Sequence, residues 1–97
     1  MNYRETLENA KKHKIDALKL SIAHELDYFI ESEKLEFNEE QFETACELIE
    51  TSYIKCDVVI TVWSLTIALI DMVKETDIDI LEEVSENDLI HKASYYL

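Results

Sequence analysis

Ninety-seven residues with 47% hydrophobic content make one helical domain spanning 1–97, large enough for a single core and too apolar for a disordered acidic tail. A formal charge of −13, with 22 acids against 9 cations, repels phosphate and argues against direct nucleic-acid binding. The complete lack of glycine and proline excludes a glycine-rich phosphate loop and makes tight hairpins improbable, leaving helices joined by polar corners.

Taken in chain order, Ile15, Leu18, Ile22, Leu26 and Phe29 follow a three-four spacing that predicts a first helix over roughly residues 3–33, ended by Ser32-Glu33-Lys34. Phe37 then precedes Asn38, a good N-cap, with Gln41 placed for a capping box and Phe42 for a hydrophobic staple. From Phe42 the apolar stripe runs through Ala45, Ile49, Ser52, Cys56, Val59, Trp63, Thr66, Ile70 and Val73 on an almost unbroken heptad. One helix over 39–75 would extend roughly 55 Å, unusual for a small domain, so a break or kink is expected near Thr51 to Asp57.

Val58 to Ile70 is a thirteen-residue uncharged run closed by Asp57 and Asp71. As a helix it reaches roughly 20 Å against a bilayer core of about 30 Å, too short to cross a membrane. A second apolar set, Val58, Val62, Leu65, Leu69 and Met72, covers its opposite side, which predicts a central helix surrounded by protein and a buried Trp63. The β-branched density of Val58 to Thr66 also permits a buried strand, but no turn signal supplies a partner for it. Thr76 with Asp79 and Ser85 with Asp88 read as N-caps, giving a short turn near 77–83 and a last helix over about 86–96. The expected fold is all-α, a compact bundle of three to four helices with a long, buried central helix. Tyr28, Phe29, Phe37, Phe42 and Tyr53 are expected in its core, and Tyr95 and Tyr96 on its surface as anchors for a partner.

Charge is the main functional signal. Glu25 to Glu50 holds ten acids and one Lys, and Asp71 to Asp88 eight acids and one Lys, whereas residues 1–24 hold three acids against five cations. Glu36, Glu40, Glu43, Glu47 and Glu50 repeat every three or four residues on the second helix, opposite the apolar stripe. Each step advances ~5 Å, close to the separation of successive phosphates, so this row is the expected partner-binding surface and fits a basic groove built for DNA or RNA. An ordinary solvated helix face has the same pattern. The net charge adds weight to the binding reading, because self-repulsion of this size destabilises a fold and steers it toward cationic partners. Lys11, Lys12, Lys14 and Lys19 lie where the first helix's dipole disfavours cations, which predicts pairing with an acidic helix inside the chain or across a dimer.

Motifs for chemistry are weak. Cys46 and Cys56 stand ten apart, about 15 Å along one helix, beyond disulfide reach, and Glu43, Glu47 and Glu50 oppose thiolate formation at Cys46. His24-Glu25-Leu26 is similar to the phospho-accepting box of sensor-kinase dimerisation helices, but Asp27-Tyr28-Phe29 follows in place of that family's Arg-Thr-Pro. Asp88 and His91 lie one turn apart as in a helix-bundle metal site, without a second pair, and Asp88 is better explained by the Ser85 cap. Glu47 and Glu50 resemble the magnesium-binding acids of helical nucleotide pyrophosphohydrolases, without that family's later acidic pair or phosphate clamps. No catalytic, cofactor or metal residue is therefore assigned, and no enzyme is expected.

In size, charge and helix content the chain resembles the compact acidic DNA mimics that phages and other mobile elements direct against restriction or RNA-guided (CRISPR) defence. That resemblance implies an inhibitor of a basic, nucleic-acid-handling protein, acting in the cytoplasm. The N-terminal Met-Asn-Tyr-Arg-Glu-Thr-Leu-Glu, without the basic cap and apolar stretch of a secretory signal, fits the same compartment. The alternatives are a homodimeric helical scaffold or adaptor, in which apolar surface left over on Val58 to Val73 closes across a two-fold axis, and an immunity protein or antitoxin covering a cationic toxin.

Overall fold

The computed structural model describes residues 14–56 and 59–96, with side chains described from residue 17. Among the described residues four α-helices form an all-α bundle: α1 (Lys14–Ser32), α2 (Glu39–Lys55), α3 (Val62–Glu75) and α4 (Glu86–Ala93). Two 3-10 segments follow α3 and α4, at Ile78–Glu82 and Ser94–Tyr96. Both α2 and α3 touch each of the other helices, whereas α1 and α4 do not touch one another, so α2 and α3 form a central pair flanked on either side.

Helix starts follow local chemistry. Asn38 accepts from the Gln41 N–H at 2.8 Å while the Gln41 side chain accepts from the Asn38 N–H at 2.9 Å, the reciprocal capping box that the spacing predicts. Ser85 Oγ accepts from the Asp88 N–H at 3.2 Å, as expected for the start of α4. At the end of α1 the chain reverses without glycine. Lys34 adopts φ 56°, and the Leu35 N–H reaches the Ile30 carbonyl at 2.9 Å, a Schellman closure with Lys34 at the left-handed position. Leu35 and Ile30 both pack on the core, the apolar contact that accompanies this motif. A left-handed lysine costs roughly 1–2 kcal/mol. Lys34→Gly is accordingly expected to stabilise the fold by about 1 kcal/mol, read as a raised denaturation midpoint at unchanged m-value.

The core follows the predicted stripes closely on α1 and α2. Ile22, Leu26, Ala45, Ile49 and Ser52 are completely buried, and Leu18, Phe29, Phe37 and Phe42 pack against them half-buried. Helix α3 contributes most, with Ser64, Leu65, Thr66, Ala68, Leu69, Ile70 and Val73 buried; Leu81, Leu89 and Ala93 close the far side. Two of the buried polar groups are satisfied locally: Thr66 Oγ1 donates to the Val62 carbonyl and Ser64 Oγ to the Thr61 carbonyl. Ser52 Oγ is buried with no hydrogen-bond partner.

The break expected near Thr51 to Asp57 occurs: Cys56 is the C-cap of α2, Thr61 the N-cap of α3, and Thr61 with Ser64 makes a second capping box, so the 39–75 segment is two helices. Other expectations are corrected. The central helix is buried as expected but not long. A break also removes the heptad's continuity, so Val59 lies outside any helix at 88% exposure and Trp63, in the first turn of α3, is 45% exposed rather than buried. Tyr28 and Tyr53 are exposed for related reasons, Tyr28 falling off the α1 stripe and Tyr53 lying in the last turn of α2. Finally, Thr76 caps the end of α3 by bonding the Met72 carbonyl, and Asp77 caps the 3-10 segment in its place. The expected start of the first helix near residue 3, the side chains of Lys11, Lys12, Lys14 and Ile15, and Val58 lie outside the described residues.

Candidate functional site

The acid row is carried by α2. Its capping box fixes the helix start, and the buried Ala45, Ile49 and Ser52 fix the helix rotation, so residues at the remaining angles are turned outward. Glu40, Glu43 and Glu47 are exposed, and Glu50 is half-buried. Glu36 is exposed but precedes Asn38, so it stands in the loop rather than on the helix. The regular row therefore has four members, with axial steps of roughly 4.5–6 Å. Glu36 instead borders a separate cleft of about 400 Å³ with Phe37, Val73 and Lys74.

Among the described residues the ion pairs are Lys74 with Glu33 at 2.8 Å and Lys92 with Glu75 at 3.2 Å, and neither involves the row. Lys74 is held above its usual pKa by its bond to Glu33 and by that carboxylate's charge. Lys19 lines a groove of about 520 Å³ with Phe42, Glu43, Cys46, Glu47 and Glu50. Within this group Glu50 Oε2 is shielded from solvent and has no hydrogen-bond partner among the described residues.

Cys46 reports on the same surroundings. Burial pushes its thiol up to about 11, and the charges of Glu50 and then Glu43 add to the effect. The acids were legible in sequence; the larger contribution, burial against the neighbouring packing, was not. Alkylation of Cys46 should thus reach half its limiting rate near pH 11 instead of the ordinary 9.0, and Glu50→Gln should lower that midpoint. The folded-state value lies above the unfolded one. The stability contributed by the protonated thiol is thus intact below pH 9.0 and lost as pH rises through about 11, and Cys46→Ala should flatten that decline in melting temperature.

The two terminal tyrosines are not part of this groove. Tyr95 is 74% exposed and stands edge-on to His91 with ring centroids 5.6 Å apart. Tyr96 is half-buried and donates its hydroxyl to Asp71 Oδ2, which holds the second 3-10 segment against α3 and keeps the phenol above its usual pKa. Tyr96 thus serves the fold. Asp88 contributes its backbone to the α4 cap, and no group of three or more His, Cys, Asp or Glu residues able to hold a metal ion occurs among the described residues.

Sequence reasoning missed Ile54, Val59 and Trp63 as surface residues and Lys19, Phe42 and Cys46 as a groove. Ile54, 62% exposed, follows Glu50 by one turn and extends the acidic stripe with an apolar residue. Its angle, well away from Ala45 and Ile49, was the available signal. Comparison with protein-family models, curated proteins and solved structures finds no match to this chain. No helix among the described residues is long and apolar enough to cross a membrane.

Proposed function

We propose that this chain is a non-enzymatic, cytoplasmic interaction protein that binds a basic, nucleic-acid-handling protein through α2 and blocks its nucleic-acid surface, as an anti-defence inhibitor of a phage or mobile element would. The observation that carries this reading is the outward row Glu40, Glu43, Glu47 and Glu50, which makes no ion pair among the described residues of a chain of charge −13. Four carboxylates at near-phosphate spacing on a rigid helix match a groove evolved for a polyanion, and the remaining negative charge steers the encounter. Comparative capture tests the proposal: immobilised wild type and a Glu43→Lys, Glu47→Lys, Glu50→Lys variant are exposed to the same cell extract, and retained proteins are identified by mass spectrometry. Nucleic-acid-binding proteins held by the wild type and lost by the variant support it; the same set on both surfaces overturns it. The shared electrostatics extend to an antitoxin covering a cationic toxin, which the identity of the retained protein distinguishes.

A second reading, a homodimer, is favoured by the apolar residues exposed around the α2–α3 corner, where Ile54 is 62%, Val59 88% and Trp63 45% exposed. Only Lys55 and Asp57 carry charge between residues 51 and 70, so little like charge on this stretch opposes the approach of a second acidic copy. Light scattering at low micromolar concentration decides it: a mass near twice 11.4 kDa supports a dimer, and a mass near 11.4 kDa that persists on concentration rules it out.

A further inference from the structure

A row of exposed carboxylates explains attraction to a basic surface but not how a partner would be held in one register. The groove beside the row supplies that. Phe42, Cys46 and Glu50 follow one another at four-residue intervals along the flank of α2, with Glu43 and Glu47 alongside and Lys19 of α1 opposite. The first two are half-buried and apolar; the three glutamates place negative charge over them. The space, about 520 Å³, admits a long side chain together with some of its neighbours. Glu50 is the most informative residue, since it is half-buried at this groove and its Oε2 has no hydrogen-bond donor among the described residues, so a donor brought by a partner would compensate it.

We propose that this groove receives an arginine side chain projecting from the partner's basic surface, its methylene stem lying on Phe42 and Cys46 and its guanidinium meeting Glu50 together with Glu43 or Glu47. This inference rests on the acid-row reading and names the chemistry that makes it selective. Arginine fits better than lysine because its planar fork supplies several donors to neighbouring carboxylates and sheds water more readily, while its stem matches an apolar channel. The two parts of the surface then have separate jobs. Glu40, exposed and outside the groove, accelerates encounter, whereas Glu50 slows dissociation.

The test uses a synthetic helix-forming peptide with arginines spaced along one face, a fluorophore at one end and a photo-reactive diazirine leucine beside the central arginine. Binding is followed by anisotropy, and crosslinks are mapped by mass spectrometry. The proposal expects crosslinks at Phe42 and Cys46, roughly ten-fold weaker binding to Glu50→Gln, less than three-fold loss for Glu40→Gln, and weaker binding of the lysine-for-arginine peptide. Circular dichroism of each variant confirms that helicity is retained, and Glu43→Gln, at an exposed position, provides a second groove variant should Glu50→Gln lose structure. Crosslinks confined to Glu40 and its neighbours, or equal losses for Glu40→Gln and Glu50→Gln, overturn the groove while leaving the acid row as the binding surface. Full displacement of the peptide by spermidine at the same charge concentration makes the groove a general cation site and also overturns the proposal. A peptide that binds wild type and the triple lysine variant equally well removes the acid-row reading itself.

Discussion

Lysine at positions 43, 47 and 50 is expected to weaken the complex with the isolated partner by at least 100-fold, about 2.7 kcal/mol, while leaving the melting temperature and helicity of the free protein unchanged. Each substitution reverses one charge, taking the formal total from −13 to −7 and turning three attractions into three repulsions at the contact. The fold tolerates the change for local reasons. Glu43 and Glu47 are exposed, Glu50 is half-buried, none of them forms an ion pair among the described residues, and lysine matches glutamate in helix propensity. Relief of like-charge repulsion along the row works in the same direction. Affinity of the wild type should also fall as salt is raised from physiological strength, where charges are screened over about 8 Å, and the variant should show a shallower dependence. Calorimetric titration at two ionic strengths reads both effects.

In stability the largest effect is expected from Leu69→Ala. Leu69 is completely buried on α3, the helix that touches all the others, and its truncation leaves a cavity that the surrounding helices close only in part. The loss should be about 2–5 kcal/mol, a large share of the roughly 5–15 kcal/mol that holds a small domain together. Trp63→Ala offers the contrast. Although it removes a larger side chain, Trp63 is 45% exposed in the first turn of the same helix, and the cost should stay near 1–2 kcal/mol. Urea denaturation of the two variants ranks them directly, and native tryptophan emission that is red-shifted and readily quenched checks the exposure of Trp63 independently.

That contrast marks where sequence reading succeeded and failed. Periodicity and capping signals identified the faces of α1 and α2, Asn38 and Ser85 as helix starts, and the all-α class, because each depends on residues within one or two turns. The uncharged run from Val58 to Ile70 misled because its apolar count was read as one continuous helix. Thr61 and Ser64 had the side chains for a capping box inside it, and the box starts α3 at Val62 with Thr61 extended, so the helical register begins late and turns Trp63 partly outward. Lys34 in the left-handed region was equally hidden, since glycine is the usual signal for that reversal. For the candidate site, the α2 acids were readable from spacing alone. Lys19 came from another helix, and the shielding of Glu50 and Cys46 depends on packing between helices, which no local pattern encodes.

The central claim, that the acidic face of α2 occupies the nucleic-acid surface of a basic partner, is tested most directly by competition on that partner. Binding of the partner to a labelled DNA or RNA duplex is titrated at increasing concentrations of this protein, with complexes resolved by native gel. The account predicts strict competition: the apparent Kd for the duplex rises in proportion to added protein, no ternary complex forms, and the triple lysine variant has no effect. A ternary complex in which the duplex stays bound at unchanged affinity would contradict it.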